Sequence, residues 1–347
     1  MNNIGLTGLA NLGNTCYLNS CLQVLSQTKE LSNFLNLKTY KNKLNKKPDS
    51  ALLLEWDNLR QSLWLNNEGA VVNPIRFVKI LQKVAEIKGY DDFTGWNQND
   101  VSEVLIFIID CFHNAISREV DMVITGNVQN ETDKMAVKCF ETAKQMYSKD
   151  YSEIWNMFYG FQISHITSLN TNKMLSSKPE PYFILNLPIP NDITNFNKTP
   201  TLLECFDLYV QGEVLEGENA YLNEETNKKE NVRKHFSFWS LPNILVIDIK
   251  RFINHTRKNQ QLVTFPLENL DLSKYVTGYN SQSYIYDLYG VCNHSGGTMG
   301  GHYTSFVKVS NDKWYHFNDT SVTEVAISEQ IISPRAYCFF YRKKSIK

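Results

Sequence analysis

The 347-residue chain is 42% hydrophobic and 20% charged, a balance that fits one large folded domain or two smaller ones and excludes a disordered chain. Its 35 basic residues against 36 acidic ones leave a net charge of -1, so no global basic field argues for nucleic acid and no acidic tail stands out. The longest apolar stretches, "VLIFII" (104–109) and "ILVI" (244–247), are far too short to span a bilayer, and "MNNIGLTGL" lacks the charged start of a signal peptide.

The first predicted element follows "GLANLGNTCYLNSCLQVL" (8–25). Leu18, Leu22 and Leu25 recur at helical spacing behind Cys16, and Asn14 or Thr15 is placed to cap the helix. Gly8 and Gly13 let the entering backbone turn tightly. A helix starting at Cys16 points its free N–H groups and positive dipole end at the sulfur, which predicts a lowered thiol pKa and a nucleophile. The competing reading is a buried structural cysteine; Cys21, inside the apolar pattern, fits that role better. The second helix lies in "NDVSEVLIFIIDCFHNAI" (99–116), with Val101, Val104, Leu105, Ile108 and Phe112 as its buried stripe and Asp100 and Glu103 as a capping pair.

From "PYFILNLPIP" (181–190) onward strand signals dominate. "NILVIDIKRF" (243–252) reads as a strand buried on both faces, and "SYIYDLYGVCNH" and "HYTSFVKVSNDKWYHFND" continue the pattern. A helical lobe followed by a largely antiparallel sheet is an α+β architecture, with a site expected between the lobes. The lysine-rich "KTYKNKLNKK" (38–47) and the terminal "RKKSIK" read as solvated segments.

A thiol nucleophile needs a base. Of the seven histidines, His113, His165, His235 and His255 sit in contexts that suit structural roles, whereas His302 opens a strand directly after the glycine-rich "NHSGGTMGG". The following "KWYHFND" brings Asn318 and Asp319 back towards it. The seven cysteines contain no Cys-x-x-Cys pair, which fits reduced thiols and a cytoplasmic or nuclear location.

These segments resemble the ubiquitin-specific proteases: the opening stretch resembles their cysteine box, and "GVCNHSGGTMGGHYTSFVKVSNDKWYHFNDTSV" their histidine box. "WNQNDVSEVL", "PYFILNLPIP", "GENAY" and "FWSLPNILVIDIKRF" resemble further family segments in the same order. The resemblance implies a papain-like fold of thumb, palm and fingers. One catalytic domain would span residues 5–342, divided into thumb (about 5–155), fingers (about 156–240) and palm (about 241–342).

It further implies a deubiquitinating cysteine protease acting after the C-terminal glycine of ubiquitin, with ubiquitin and ubiquitinated proteins as partners. Cys16 would be nucleophile, His302 general base, and Asn11 an oxyanion donor together with the Cys16 N–H. Asp100, Glu103, Gly300 and Gly301 would meet the ubiquitin tail, Asp100 as the contact and Glu103 more as its cap partner. The glycines from Gly296 to Gly301 would form a mobile loop over the tail channel. No cofactor is implied. Many family members hold a fingertip zinc between two Cys-x-x-Cys pairs; here Ser168, Thr171, Leu222 and Glu225 stand at those places, so no metal is expected. A monomer without nucleic-acid or membrane partners is expected.

The orienter of His302 depends on hairpin register. A two-residue turn at Asn311-Asp312 puts Asp319 on the histidine's face; a three-residue loop, Ser310 to Asp312, puts Asn318 there. "SND" lacks the glycine favoured by two-residue turns, and the resemblance favours the residue after the phenylalanine. Asn318 is therefore the expected orienter, with Asp319 as an auxiliary. Two other classes compete with an active protease. A dead ubiquitin-binding module would lack one of the reactive residues; an acyltransferase or transglutaminase-like enzyme would need neither fingers nor "QNDVSEVL".

Overall fold

The computed structural model describes residues 5–65, 69–190, 198–223, 226–254, 257–297 and 300–345. The readings placed on Glu225, His255, Thr298 and Met299 lie outside these residues.

The first half is helical: α1 (Cys16–Ser26), α2 (Lys29–Asn36), α3 (Asp49–Leu65), α4 (Ile75–Lys88), α5 (Val101–Ile116), α6 (Glu131–Tyr147) and α7 (Glu153–Phe158). A short parallel pair, β1 (Gly8–Leu9) with β2 (Val71–Val72), ties the chain start to this lobe. Helix α1 begins at Cys16 as its pattern predicts, but all eleven residues are buried rather than one face. It sits between α5 and the large sheet, so even its polar side chains need partners: Gln23 donates to the Thr7 carbonyl at 2.9 Å. Helix α5 carries the predicted stripe, and burial extends to Phe107, Ile109 and Cys111 as well. Asp100 caps it, accepting from the Ser102 N–H at 2.7 Å.

The large sheet has eight strands. Its order is β17 (Ser321–Glu324), β16 (Trp314–Asn318), β15 (Gly300–Lys308), β14 (Ile285–Gly297), β18 (Ala336–Lys343), β10 (Ile244–Ile249) and β5 (Ile184–Leu187), with β13 (Leu270–Asp271) beside β14. All pairings are antiparallel except β5 with β10. Strand β10 is buried throughout, as its composition predicts. Its alternation serves two cores: Ile244 and Val246 face the helical lobe, while Leu245, Ile247 and Ile249 face a second core that includes Leu202, Cys205 and Phe206 of α8 (Leu202–Gln211).

A separate four-stranded sheet runs β4 (Met174–Tyr182), β3 (Gly160–Ser168), β9 (Val232–Ser240), β6 (Glu213–Leu215). Two short hairpins, β7 (Tyr221–Asn223) with β8 (Lys228–Glu230) and β11 (Phe252–Asn254) with β12 (Arg257–Lys258), complete the described strands. Beyond the short β1–β2 pair, the sheet structure begins at Gly160, about twenty residues before the sequence signal at 181. The reason is visible in β4, "MLSSKPEPY": two prolines and little alternation hide a strand that occupies a sheet edge, where proline is tolerated.

The decisive hairpin has the three-residue loop. The Val309 N–H donates to the Lys313 carbonyl at 3.0 Å and the Asp312 N–H to the Val309 carbonyl at 2.9 Å, with Asp312 at φ 62°. The β15–β16 ladder then runs from Lys308 opposite Trp314 to Ser305 opposite Phe317.

Candidate active site

The loop before α1 is wound around one side chain. Asn11 Oδ1 accepts from the N–H groups of Gly13 (3.0 Å) and Thr15 (3.2 Å), and Gly13 closes the turn at φ +97°, a conformation that favours glycine. Neither Asn14 nor Thr15 caps α1 through its side chain. Thr15 Oγ1 instead accepts from the Leu12 N–H at 2.9 Å, and the Asn14 amide donates to the Trp96 carbonyl at 3.0 Å. Cys16 therefore presents the bare N-terminus of the helix, 3% exposed.

Burial pushes the Cys16 thiol above its ordinary value. Hydrogen bonding from the Tyr303 backbone pulls down, the Asp319 carboxylate adds to the rise, and the N–H groups of Tyr17 and Cys16 itself do not offset it. This corrects the expected lowering: the helix terminus acts as predicted, but desolvation outweighs it. Cys21 is fully buried and is held still further up by burial.

The Tyr303 contact puts β15 against the sulfur, and His302 is its neighbour on that strand. His302 Nε2 lies 2.7 Å from Asn318 Oδ1. A carbonyl oxygen can only accept, so Nε2 carries the hydrogen and Nδ1 keeps its lone pair. Among the described residues no hydrogen bond joins His302 to Cys16, a looseness common in unliganded sites of this kind.

Asp319 follows Asn318 at φ 50° in the tight turn from β16 to β17, where Asn318 pairs with Ser321. Its carboxylate accepts from Asn11 Nδ2 (2.9 Å) and Asn19 Nδ2 (2.7 Å), and its carbonyl from the Leu9 N–H (2.8 Å). The structure thus gives it to the loop around Cys16; no hydrogen bond to His302 appears among the described residues. Asn19, which the sequence reading passed over, is one turn along α1 from Thr15 and is reachable from the pattern only once that turn is placed.

Asp100 differs from expectation too. One carboxylate oxygen caps α5, and the other accepts from the hydroxyls of Tyr337 (2.7 Å) and Tyr303 (3.4 Å). Glu103 is the exposed member of the pair and has no hydrogen-bond or ion-pair partner among the described residues. Desolvation and the carboxylates of Asp100 and Asp92 push its carboxyl up. Asp100, expected as the tail contact, is the cap itself, and Glu103, expected as its cap partner, makes no hydrogen bond to that cap among the described residues.

Gly296, Gly297, Gly300 and Gly301 belong to paired strands, not to an open loop: Gly296 pairs with Gly301 and Gly297 with Gly300. A Cβ on Gly301 would lie 2.2 Å from His294 Nε2, so only glycine fits there. Lys258 Nζ donates to His294 Nδ1 at 2.7 Å; burial, and the lysine after it, hold this imidazole down to about 4. Gln98, unassigned from sequence although it lies in the "QNDVSEVL" segment, clasps Gly301 twice. Its Oε1 accepts from the Gly301 N–H (3.1 Å) and its Nε2 donates to the Gly301 carbonyl (3.0 Å).

A thiol at a helix terminus, an imidazole with one nitrogen oriented and one free, and an asparagine amide beside the thiol's loop are the parts of an acyl-transfer site. Residues 7–341 match the family model described as "Ubiquitin carboxyl-terminal hydrolase". The chain belongs to the ubiquitin carboxyl-terminal hydrolase family. It is similar to human ubiquitin carboxyl-terminal hydrolase 2, 34% identical over 98% of this chain and 56% of that protein. It resembles chicken ubiquitin carboxyl-terminal hydrolase 2 at the same identity over 94% of that protein, and human ubiquitin carboxyl-terminal hydrolase 21 at 29% over 61%. The chain spans about half the length of the first mammalian relatives it matches.

Among solved structures it resembles the SAGA Ubp8/Sgf11/Sus1/Sgf73 DUB module bound to ubiquitin aldehyde, with a TM-score of 0.72 and 23% identity, over 100% of this chain and 71% of that one. That likeness shows the papain-like α+β fold of this family. The helical lobe, large sheet and four-stranded sheet correspond to the thumb, palm and fingers expected from sequence. No described helix is long and apolar enough to cross a membrane.

Proposed function

We propose that this hydrolase domain, over residues 5–342, is an active deubiquitinating cysteine protease that cleaves after the C-terminal glycine of ubiquitin. The observation that carries the reading is the pair of contacts at consecutive residues of β15: His302 held by Asn318, and the Tyr303 backbone on the Cys16 sulfur. Cys16 gives its proton to His302 Nδ1 and attacks the glycine carbonyl. Asn318 holds the imidazolium and its tautomer. The resulting oxyanion is met by the Cys16 N–H and by Asn11. An amide carries two N–H bonds; Asp319 occupies one and leaves the second for the oxyanion. Collapse expels the lysine amine, which takes the proton from His302. Water, deprotonated by the same imidazole, then hydrolyses the thioester and restores the thiol.

Glu103, exposed and without a polar partner among the described residues, is the group available to a basic residue of the ubiquitin tail; Gly300 leaves room for the tail backbone, whereas the side-chain direction of Gly301 is filled by His294. Fingertip positions support a metal-free lobe: the Ser168 hydroxyl accepts from the Thr171 N–H at 3.3 Å, and Leu222 is an exposed aliphatic side chain. The reading is of a cytoplasmic or nuclear monomer.

The test is covalent capture by ubiquitin bearing an electrophilic C-terminus. Wild-type chain forms a stable adduct and Cys21→Ala does likewise, while Cys16→Ala forms none and still binds ubiquitin. An adduct on Cys16→Ala, or none on wild type, defeats the assignment.

A further inference from the structure

The segment between α4 and α5 is stitched at almost every residue. Gln82 of α4 donates to the Gly95 carbonyl at 2.9 Å, and Asn14 to the Trp96 carbonyl at 3.0 Å. Gln98 clasps Gly301, and the Asn99 amide reaches the Tyr17 hydroxyl (3.1 Å) and the Asp92 carbonyl (2.9 Å). Four successive anchors join α4, the loop before Cys16, the residue before His302, and the residue after Cys16. A backbone held this way does not shift freely, yet the largest side chain it carries, Trp96, is 46% exposed and makes no ring contact among the described residues. A scattered exposed apolar residue needs no explanation, but a tryptophan whose backbone is tied to the loop before Cys16 leaves its indole available for contact near the thiol. Gln82, which holds the neighbouring Gly95, also lines an open groove of about 620 Å³ along α4, together with Lys79, Lys83, Glu86, Asp91 and Thr94.

Position decides which part of a substrate such an indole meets. The stitched segment has two ends. Gln98 and the acids of α5 lie at the end that meets Gly301 and Tyr303, where the ubiquitin tail is placed above. Trp96 lies at the other end, tied to Asn14 in the turn that also carries the oxyanion asparagine. The acyl half of the substrate approaches along the first end. With the tail there, the second end is the side left for the polypeptide that carries the departing lysine.

Resting on the deubiquitinase reading, we propose that Trp96 is a specificity-determining contact for the leaving group: its indole packs against the polypeptide that flanks the acceptor lysine, with the α4 groove taking the adjoining residues. The partner is an extended polypeptide bearing an apolar side chain or the lysine's own methylene stem, a flat apolar fit to which the lysine nitrogen, a neutral amide until the bond breaks, adds no charge.

Two substrates separate this from a general defect: ubiquitin carrying a C-terminal coumarin, which has no polypeptide leaving group, and ubiquitin joined through an isopeptide bond to a lysine in a short peptide. In Trp96→Ala the ratio of kcat/KM for the peptide conjugate over the coumarin falls ~5–10-fold, chiefly through KM, as expected for losing one aromatic anchor. Trp96→Phe restores most of that ratio. An unchanged ratio in Trp96→Ala, whether both rates hold or both fall together, overturns the inference while leaving the protease reading intact. A wild-type chain inert to both substrates overturns the reading and this inference with it.

Discussion

Along the seam between thumb and palm, the Asp319 carboxylate receives two asparagine amides from different parts of the thumb, and Gln98 reaches across to the palm backbone at Gly301. In the fingers the order comes from long ladders of backbone pairing between β3, β4 and β9. There His165 and His235 stand opposite each other, rings 4.9 Å apart, with both nitrogens of His165 on the hydroxyls of Ser177 (2.7 Å) and Ser237 (2.9 Å). The polar groups of the seam join distant segments around Cys16 and His302. The fingers use theirs locally, within one sheet. Damage at the seam should therefore appear in turnover, and damage in the fingers in stability.

The largest expected effect breaks the seam at its chemical end. Asn318→Ala frees the His302 ring and should lower kcat by ~10²-fold or more, within the range of removing a positioned catalytic partner. Asp319→Ala loosens Asn11 without touching His302, so its loss of kcat should be smaller and accompanied by a lower melting point. The reverse ranking of turnover in folded variants would move the orienting role to Asp319.

A second test uses pH. Because burial raises the Cys16 thiol above its ordinary value, kcat/KM, which reports free enzyme, should keep rising with pH past the ~8.5 of an ordinary thiol. The kcat profile should turn over at lower pH, because bound substrate brings His302 to the sulfur. A plateau in kcat/KM below pH 8 would mean that the thiol and imidazole already pair before binding.

The two acids of α5 give a smaller, divided effect. Asp100→Ala removes the cap and two tyrosine hydroxyl bonds, costing roughly 0.5–2 kcal/mol for the cap alone. Glu103→Gln should leave the melting point in place and raise KM severalfold, the mark of a substrate contact. If Glu103→Gln instead destabilises with KM unchanged, the exposed carboxylate is not a tail contact.

In the fingers, His165 is held down to about 4 by burial and by His235, below the value near 6.5 of an unfolded chain. A depressed pKa contributes stability above about 6.5 that is lost as pH falls towards 4. The melting point should thus drop by a few degrees on acidification, and His165→Gln should blunt that drop. EDTA is the smallest effect of all: no change in activity or melting, since Ser168, Thr171 and Leu222 offer no thiolate. Stoichiometric zinc in washed protein would contradict it.

Helix α1, helix α5 and strand β10 could be read from periodicity because their burial is strong enough to imprint the pattern. The three-residue hairpin loop was favoured by turn chemistry together with the family resemblance, and with it the face shared by His302 and Asn318. Strand β4 could not be read, since an edge strand tolerates the prolines that argue against it. The roles of Asp100 and Glu103 were not separable either, because two acids three residues apart both suit a helix start.

Local sequence was sufficient wherever neighbours along the chain supply the forces: the helix that starts at Cys16, the glycine turn before it, the register behind His302. It could not foresee the pKa of Cys16, because desolvation depends on everything packed around the sulfur and here outweighs the helix terminus. It could not place Asn19, Asp319 and Gln98, whose partners lie 300, 308 and 203 residues away along the chain. Those contacts exist only once the palm closes on the thumb, since a hydrogen bond is set by distance in space, and nothing in a local pattern encodes that.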